Sequence, residues 1–347
     1  MASRTQTALL LTAERGEFQL GSRPVPSPKA DEVLVRNVAS ALNPFDWKVQ
    51  TTGFMGPKVY PAVLGFEGAG VVEEVGEGIE GLKKGDRVAH SSVAYGEGQT
   101  FQQYSITRAD IVVKIPDSIT FEQAATVPAA FFTPAVGFYH NPPYGIGLSE
   151  PWTTEGQGRY TGEAVLIVGG STQNGLAAIQ LARLSGFSPI LTTASAKHSS
   201  LLRSLGATHI LDRSLAGLAL RAEIEKATGG KALTVAYDAV GDAATQHAAF
   251  DALARNGRLV TVLPSNIPEE KVKEEGKEVV FVIAHIDAEH NRGIASRLTA
   301  ALPGLLASGE LKTGTPEVIL GGLGAVPDAL KRLQAGGASG VKFVVNP

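Results

Sequence analysis

Apolar and polar residues follow different patterns in the two parts of the chain. Over roughly the first 120 residues, short apolar runs such as EVLVR at 32–36 and AGVVEEV at 69–75 are separated by glycines, which predicts compact antiparallel β-structure with many corners. Gly85-Asp86 is a turn signal and predicts a strand that begins at Arg87. A helix is predicted from 122 to Thr133-Pro134.

Beyond residue 163, strand-like and helix-like runs alternate. EAVLIVGG, GLAAIQLARLSG and SPILTTA begin the series, and THILD, TVAYDAVG and GRLVTVLP continue it between helical segments. Regular alternation of this kind predicts a doubly wound parallel sheet. Segment 141–160 is rich in proline and glycine without periodicity and is predicted to be a loop. A helix is expected at 295–308, and the terminal VKFVV reads as a strand that returns to the N-terminal domain.

Composition narrows the possible functions. A chain of 347 residues predicts two domains. The net charge of −3, without a basic run, argues against a nucleic-acid partner. No apolar run reaches membrane-spanning length and the N-terminus does not resemble a secretory signal, so we expect a cytoplasmic protein with no membrane partner. Cysteine is absent, which removes thiolate catalysis and any zinc site built on cysteine.

The most informative local motif is the glycine-rich segment GGSTQNG at 169–175, between a predicted strand and a predicted helix. Such a turn directs backbone N–H groups and the helix dipole at one point, which suits a pyrophosphate. Gly170 permits the tight turn, Gly175 permits close helix packing, and Ser171 and Thr172 add hydroxyl donors. The G-x-G-x-x-G spacing is not met, so a plain strand–helix turn is the alternative for the loop alone. The alternating units around it favour a dinucleotide site.

The end of the next strand indicates which dinucleotide binds. NAD sites usually offer an acidic residue there for the ribose 2′-hydroxyl, whereas this chain has TASAKH at 193–198. Ser195 and Lys197 suit a 2′-phosphate, with Lys197 acting as a point charge. The missing carboxylate therefore favours NADPH. The alternative is that Lys197 and His198 only begin a solvated helix, and both interpretations can hold together.

With these residues in view, the chain resembles the medium-chain dehydrogenase/reductase superfamily over nearly its whole length. The resemblance implies an α/β protein with a GroES-like β-rich catalytic domain (1–130 and 286–347), interrupted by a Rossmann NADPH-binding domain with a doubly wound parallel sheet (131–285). Nine segments carry it, in the order LNPFDWK, LGFEGAGVVEEVG, KKGDRVA, AATVPAAFFTPAVGF, the Gly169 loop, LGATHILD, YDAVG, RNGRLV and SGVKFVV.

The departures from the zinc-dependent branch are as informative as the matches. That branch places a cysteine near position 43 and a His-Glu pair at 66–67, where this chain has Asn43 and Phe66-Glu67. Glu67 alone cannot hold a metal, and the histidines are scattered, so no metal site is expected. The chain is most similar to zinc-free enoyl and quinone reductases, and within them to fungal trans-acting enoyl reductases of polyketide pathways. LNPFDWK, GGST and the 141–160 insertion carry that similarity.

Reduction of an enone, an enoyl thioester or a quinone needs a placed hydride donor and stabilisation of the developing enolate oxygen. The resemblance puts Asn43, Pro44, Asp46 and Lys48 beside the substrate. Lys48 is the first candidate for proton donation, and a surface lysine after Trp47 is the equal alternative. Asn43 is the candidate amide donor, whereas Asp46 is expected to fix the local backbone.

The resemblance also implies the remaining cofactor contacts. Thr133 lies where the helix facing the nicotinamide begins, and capping of a helix before Pro134 is its alternative role. The other expected contacts are Asn43, Pro44, Val240, Gly241, Leu263, Val282 and Lys342. The expected substrate is a small-molecule or carrier-bound acyl or enone compound, in a monomer or a homodimer. The alternatives are an NADPH quinone reductase and a non-catalytic NADPH-binding protein.

Overall fold

A computed structural model describes residues 4–92 and 95–347. Internal contacts divide the chain into two compact units. The first comprises Met1–Ala129 with His285–Pro347, and the second comprises Ala130–Ala284. Among the described residues, every helix is too short or too polar to span a lipid bilayer.

The strands and helices are numbered in chain order. The strands are β1 (Thr5–Leu11), β2 (Phe18–Pro24), β3 (Glu32–Ala41), β4 (Ala62–Val63), β5 (Glu67–Val75), β6 (Arg87–Ser91), β7 (Tyr104–Arg108), β8 (Val113–Lys114), β9 (Val165–Val168), β10 (Ile190–Ala194), β11 (His209–Asp212), β12 (Val235–Asp238), β13 (Arg258–Thr261), β14 (Glu278–Phe281), β15 (Pro316–Val318) and β16 (Lys342–Val345). The α-helices are α1 (Pro44–Thr52), α2 (Phe121–Ala124), α3 (Pro128–Tyr139), α4 (Gln173–Leu184), α5 (Ser199–Leu205), α6 (Gly217–Thr228), α7 (Ala243–Ala252), α8 (Glu269–Glu274), α9 (Arg292–Ala307) and α10 (Val326–Gln334).

The first unit is built around the long strand β3. One sheet has the order β15-β16-β3-β5-β6-β8, with β7 also paired to β3, and a second sheet has the order β2-β1-β4. Strand β5 can approach β3 closely because Gly70 has no side chain. A Cβ at that position would lie 2.1 Å from the carbonyl oxygen of Arg36. Strand β16 pairs antiparallel with β3, Val344 lying opposite Ala41, so the C-terminal segment returns to this unit.

Two helical regions differ from the sequence predictions. The residues after Asn43, for which no helix was predicted, form α1, because Pro44 starts the helix and Asp46 accepts a hydrogen bond from the Asn43 N–H. The predicted helix end at Thr133-Pro134 is also wrong, since Pro134 lies inside α3. A proline there forgoes one backbone hydrogen bond, and the buried apolar residues of α3 compensate by packing.

The second unit contains a six-stranded sheet in the order β11-β10-β9-β12-β13-β14, with every pair parallel. The predicted doubly wound sheet is therefore confirmed. The central strand β9 is buried along its whole length, which explains its unbroken apolar sequence VLIV. Segment 141–160 contains neither helix nor strand, as predicted.

Candidate active site

A closed cluster of three polar side chains lies in the first unit. The Lys342 ammonium donates to the Asn43 side-chain oxygen at 2.6 Å and forms an ion pair with Glu67 Oε1 at 2.7 Å. Asn43 Nδ2 donates to the same Glu67 oxygen at 3.1 Å. Glu67 is fully buried, Lys342 is 4% exposed and Asn43 is half-buried, so only Asn43 reaches the surface of the cluster.

The chain brings this cluster together from three distant segments. Asn43 precedes α1, Glu67 begins β5 and Lys342 begins β16. The second Glu67 oxygen accepts a hydrogen bond from the Ala129 N–H at 2.8 Å, in the first turn of α3. A carboxylate at a helix N-terminus is stabilised by the helix dipole and by otherwise unpaired N–H groups. Both oxygens of Glu67 are therefore occupied.

Asp46 holds the backbone that carries the Asn43–Glu67–Lys342 cluster. Its carboxylate is fully buried and accepts hydrogen bonds from the N–H of Asn43 at 2.6 Å and of Gly65 at 3.0 Å. Burial raises the pKa of Asp46 to about 7, against the lowering effect of these two N–H groups and of the Lys342 charge. Gly65 has φ +91°, and a Cβ there would lie 2.8 Å from the Phe101 backbone nitrogen. Asp46 thus fixes the backbone on both sides of the cluster.

Lys48, the predicted proton donor, lies on α1 and is half-buried. Its ammonium is 5.6 Å from the centroid of the Trp47 ring. Burial lowers the pKa of Lys48, which makes the ammonium a better acid near neutral pH. Pro44, one turn earlier on the same helix, is exposed.

Four aromatic rings, which we call the aromatic wall, lie beside these polar groups: Phe45, Phe54, Phe66 and Tyr95. Phe45 meets Phe66 with ring centroids 4.8 Å apart and Phe54 at 6.2 Å, and Phe66 meets Tyr95 at 5.8 Å. The Tyr95 hydroxyl donates to the Met55 carbonyl at 3.0 Å, and burial raises the pKa of Tyr95. The wall therefore presents neutral apolar surface.

A metal does not suit this region. Phe66 supplies a hydrocarbon ring in place of a ligand, and the Lys342 ammonium already neutralises Glu67. Across residues 4–92 and 95–347, no group of three or more histidine, cysteine, aspartate or glutamate side chains is placed to hold a metal ion.

The glycine-rich loop of the second unit adopts a strand–turn–helix geometry that requires its glycines. Gly169 has φ +77°, a Cβ at Gly170 would lie 2.0 Å from Thr192 Oγ1, and a Cβ at Gly175 would lie 2.3 Å from the Gly169 carbonyl oxygen. Thr172 precedes α4 and accepts a hydrogen bond from the Gly175 N–H at 3.0 Å. Its hydroxyl hydrogen is not used in that bond. Ser171 is half-buried on the same turn.

Two cationic side chains, Lys197 and Arg213, follow the ends of the neighbouring strands β10 and β11. Ser195 follows β10 and is half-buried, and Lys197 is exposed two residues later. Arg213 follows β11, the neighbour of β10 in the sheet, and is exposed. Burial, together with the charges of Lys197 and Arg213, lowers the pKa of His198. The sequence analysis did not identify Arg213, because the sequence shows that it follows a predicted strand but not that this strand lies next to β10.

The other predicted cofactor contacts in the second unit, Val240, Gly241, Leu263 and Val282, differ in how much of each residue is accessible to a ligand. The N–H groups of Val240 and Gly241 donate to Asp238 Oδ1 at 2.9 and 3.1 Å, so the carboxylate shapes this turn. Leu263 packs against Gly241, since a Cβ there would meet it at 2.9 Å. Val282 is buried, leaving only its backbone for a ligand, whereas the adjacent Ile283 is 45% exposed.

Thr133 is half-buried inside α3, five residues after its start, so the alternative role as a helix cap is wrong. Its contact with a cofactor stays a prediction.

Comparison with known proteins places this geometry in a family. The model of the alcohol dehydrogenase GroES-like domain matches residues 29–117, and that of the zinc-binding dehydrogenase matches 175–275. The trans-enoyl reductase traG of Penicillium crustosum is 32% identical over 98% of this chain and 97% of its own length. The chain belongs to the medium-chain dehydrogenase/reductase superfamily. The trans-enoyl reductase ACTTS2 of Alternaria alternata is 31% identical over 98% of both chains.

Solved structures agree with this fold. An alcohol dehydrogenase superfamily protein from Novosphingobium aromaticivorans is similar over 99% of both chains, with a TM-score of 0.82 and 22% identity. A mycobacterial protein, Rv1454c, solved in complex with NADPH, is similar over 99% of this chain and 100% of its own, with a TM-score of 0.77 and 22% identity. The family is thus an oxidoreductase family with a nicotinamide-dinucleotide-binding fold.

Proposed function

We propose that this protein is an NADPH-dependent, zinc-free reductase of an activated carbon–carbon double bond in a 2-enoyl or enone substrate. The observation that carries the proposal is the pairing of full-length similarity to trans-enoyl reductases with a site whose metal-ligand position is Phe66. Hydride transfer to a polarised alkene needs no metal, and it is therefore compatible with an aromatic ring at position 66 and an internal ion pair at Glu67. We also propose a role in a fungal polyketide pathway, as the resemblance to trans-acting enoyl reductases of such pathways implies.

NADPH is the proposed cofactor. Gly170, Ser171, Thr172 and Gly175 would hold the pyrophosphate at the start of α4. Ser195, Lys197 and Arg213 would bind the 2′-phosphate, because two cations and a hydroxyl at one sheet edge match a dianion. Thr133, Val240, Gly241, Leu263 and the Val282 backbone would contact the remainder of the cofactor.

When bound, NADPH would supply the hydride that reduces the β-carbon of the substrate. The chain's own residues then act on the enolate. Asn43 would donate a hydrogen bond to its oxygen, and Lys48 would deliver the proton that completes the α-carbon. For Lys342, the contacts with Glu67 and Asn43 favour an internal role over direct cofactor contact.

The aromatic wall favours an apolar substrate chain. Four neutral rings lie in a row, and Met55 and Val59 expose further apolar surface close by in sequence. An acyl chain would gain burial there at about 0.8 kcal/mol per methylene, whereas a charged group would lose its hydration. A small molecule and a carrier-bound chain present the same acyl group to this surface.

Steady-state kinetics with NADPH and three acceptors test the proposal: a 2-enoyl thioester, a simple enone and a quinone. We expect turnover of the thioester or the enone, and a kcat loss of about tenfold to a hundredfold for Lys48→Ala. Lys58→Ala, an exposed lysine just after α1, is the matched control. Turnover of the quinone alone would indicate the quinone reductase instead. NADPH binding without any turnover would indicate a non-catalytic binding protein.

A further inference from the structure

In the Asn43–Glu67–Lys342 cluster, Lys342 and Glu67 determine which way the Asn43 side-chain amide faces. A side-chain amide has nearly the same shape at its oxygen and nitrogen ends, so its partners decide which way it faces. Lysine only donates hydrogen bonds, and an ionised carboxylate only accepts them. With Nζ 2.6 Å from one end of the amide and Glu67 Oε1 3.1 Å from the other, oxygen must face Lys342 and nitrogen must face Glu67.

The opposite orientation of the Asn43 amide would create two repulsive contacts. It would set the amide hydrogens against the Lys342 ammonium and the amide oxygen against the Glu67 carboxylate. Both Lys342 and Glu67 are buried, so water does not screen these repulsions effectively. The ion pair therefore selects one of two otherwise equivalent amide orientations.

The selected orientation leaves one polar hydrogen for a ligand. Asn43 Nδ2 carries two hydrogens, and its bond to Glu67 uses one of them. Because Asn43 is the half-buried member of the cluster, the second hydrogen belongs to the part of the cluster that a substrate can reach.

We propose that Lys342 and Glu67 are positioning residues that fix the Asn43 amide with an N–H directed toward the substrate carbonyl. This inference rests on the proposed function, because it assigns the orienting groups for the same hydrogen bond to the enolate oxygen. It also gives the pair a role in place of a metal. The group that would stabilise the developing negative charge is the oriented Asn43 amide, which the buried Lys342–Glu67 ion pair holds in place.

A double-mutant cycle on kcat tests the proposal. The wild type, Lys342→Met, Asn43→Ala and the double variant are assayed with NADPH and the N-acetylcysteamine thioester of 2-hexenoic acid, below the melting temperature of each protein. We expect Lys342→Met and Asn43→Ala each to lower kcat about tenfold to a hundredfold. In the Asn43→Ala background, Lys342→Met should then lower kcat less than twofold. Losses that multiply in the double variant, or an unchanged kcat in Lys342→Met, would overturn the proposal.

Two further measurements separate positioning from general damage. Lys342→Arg keeps a donor-only cation and should recover part of kcat, while the Kd for NADPH should change less than threefold in the Lys342 variants. Lys342→Gln, which removes the charge but keeps a polar chain, replaces Lys342→Met if that variant does not fold. Loss of NADPH binding in parallel with kcat would contradict a role exercised through Asn43.

The orientation can also be read without turnover. The Asn43 side-chain amide signals, assigned by their loss in Asn43→Ala, should appear as one resolved ¹⁵N–¹H₂ pair in the wild type and shift or broaden in Lys342→Met. If the wild-type enzyme reduced no enoyl substrate, the proposed function would be refuted, but the Asn43 amide signals would still report on the orientation of the side chain. Amide signals that are unchanged in Lys342→Met would sink the positioning proposal by itself.

Discussion

The ion pair between Lys342 and Glu67 provides the strongest stability prediction. Lys342→Met leaves the Glu67 carboxylate fully buried, with the Asn43 amide and the Ala129 N–H as partners but no cation at 2.7 Å. Removal of one member of a buried ion pair typically costs about 3–5 kcal/mol, because the remaining charge stays in a low-dielectric environment. We therefore expect Lys342→Met to lower the free energy of unfolding of the first unit by about that amount.

The partner variant shows whether charge is the cause. Glu67→Gln should also destabilise, since it leaves the Lys342 ammonium without its counter-ion. In Lys342→Met/Glu67→Gln no uncompensated charge remains, and the introduced glutamine side chain keeps an oxygen for the Ala129 N–H. The double variant should therefore lose less than either single variant, with a coupling energy of about 2–4 kcal/mol.

Urea unfolding, followed by circular dichroism and tryptophan fluorescence, measures these losses. Lys331→Met is the control, because its pair with Asp328 at 2.9 Å is almost fully exposed and should contribute no measurable stability. If the double variant lost the sum of the two single losses, the reasoning from an uncompensated charge would be refuted. So would a Lys342→Met protein as stable as the Lys331→Met control.

Three other predictions concern pH, cofactor choice and the glycine loop. His90 is fully buried, and burial lowers its pKa from 6.5 to about 4. Between these two pH values, the imidazole is therefore protonated in the unfolded chain but neutral in the folded protein. Stability from this residue should be complete above pH 6.5 and fall by up to about 3 kcal/mol as the pH drops to 4. Asp46 titrates in the opposite sense, so the difference between wild type and His90→Gln isolates the effect, and parallel stability curves would contradict it. Arg213→Ala should weaken NADPH binding about tenfold and leave NADH binding unchanged, with Arg221→Ala on α6 as the control in fluorescence titrations; equal losses for both cofactors would refute the 2′-phosphate contact. Gly175→Ala should destabilise by about 1–3 kcal/mol in thermal unfolding because its Cβ would meet the Gly169 carbonyl at 2.3 Å, whereas Gly304→Ala in α9, with no neighbour within 4 Å, should not; equal melting temperatures would show that the loop can relax.

The parts of the fold that were predictable depend on local patterns. The parallel sheet followed from the alternation of apolar runs and helical spacing, and β9 with the Gly169 turn was readable from one continuous stretch of sequence. Helix α1 was not predictable from periodicity, because PFDWKVQTT has few apolar positions at helical spacing. Its stability comes from the Asp46 cap and from packing against α10, which lies far along the chain.

The site was predictable only where one segment carries it. Asn43 and Phe66 were identified because they replace expected metal ligands, and the cofactor loop is continuous in sequence. The bond between Lys342 and Asn43 joins residues 299 positions apart and leaves no local signal. Arg213 joins Lys197 only through the adjacency of β10 and β11, which is a property of the sheet order.

The most direct test of double-bond reduction uses NADPH deuterated at the nicotinamide C4, with each of the two C4 stereoisomers tried in turn against a 2-enoyl thioester. We expect a saturated thioester that carries one deuterium at the β-carbon from one of the two isomers, located by NMR and counted by mass spectrometry. A saturated product without that deuterium from either isomer, or no reduction of the double bond while NADPH is bound, would contradict this expectation.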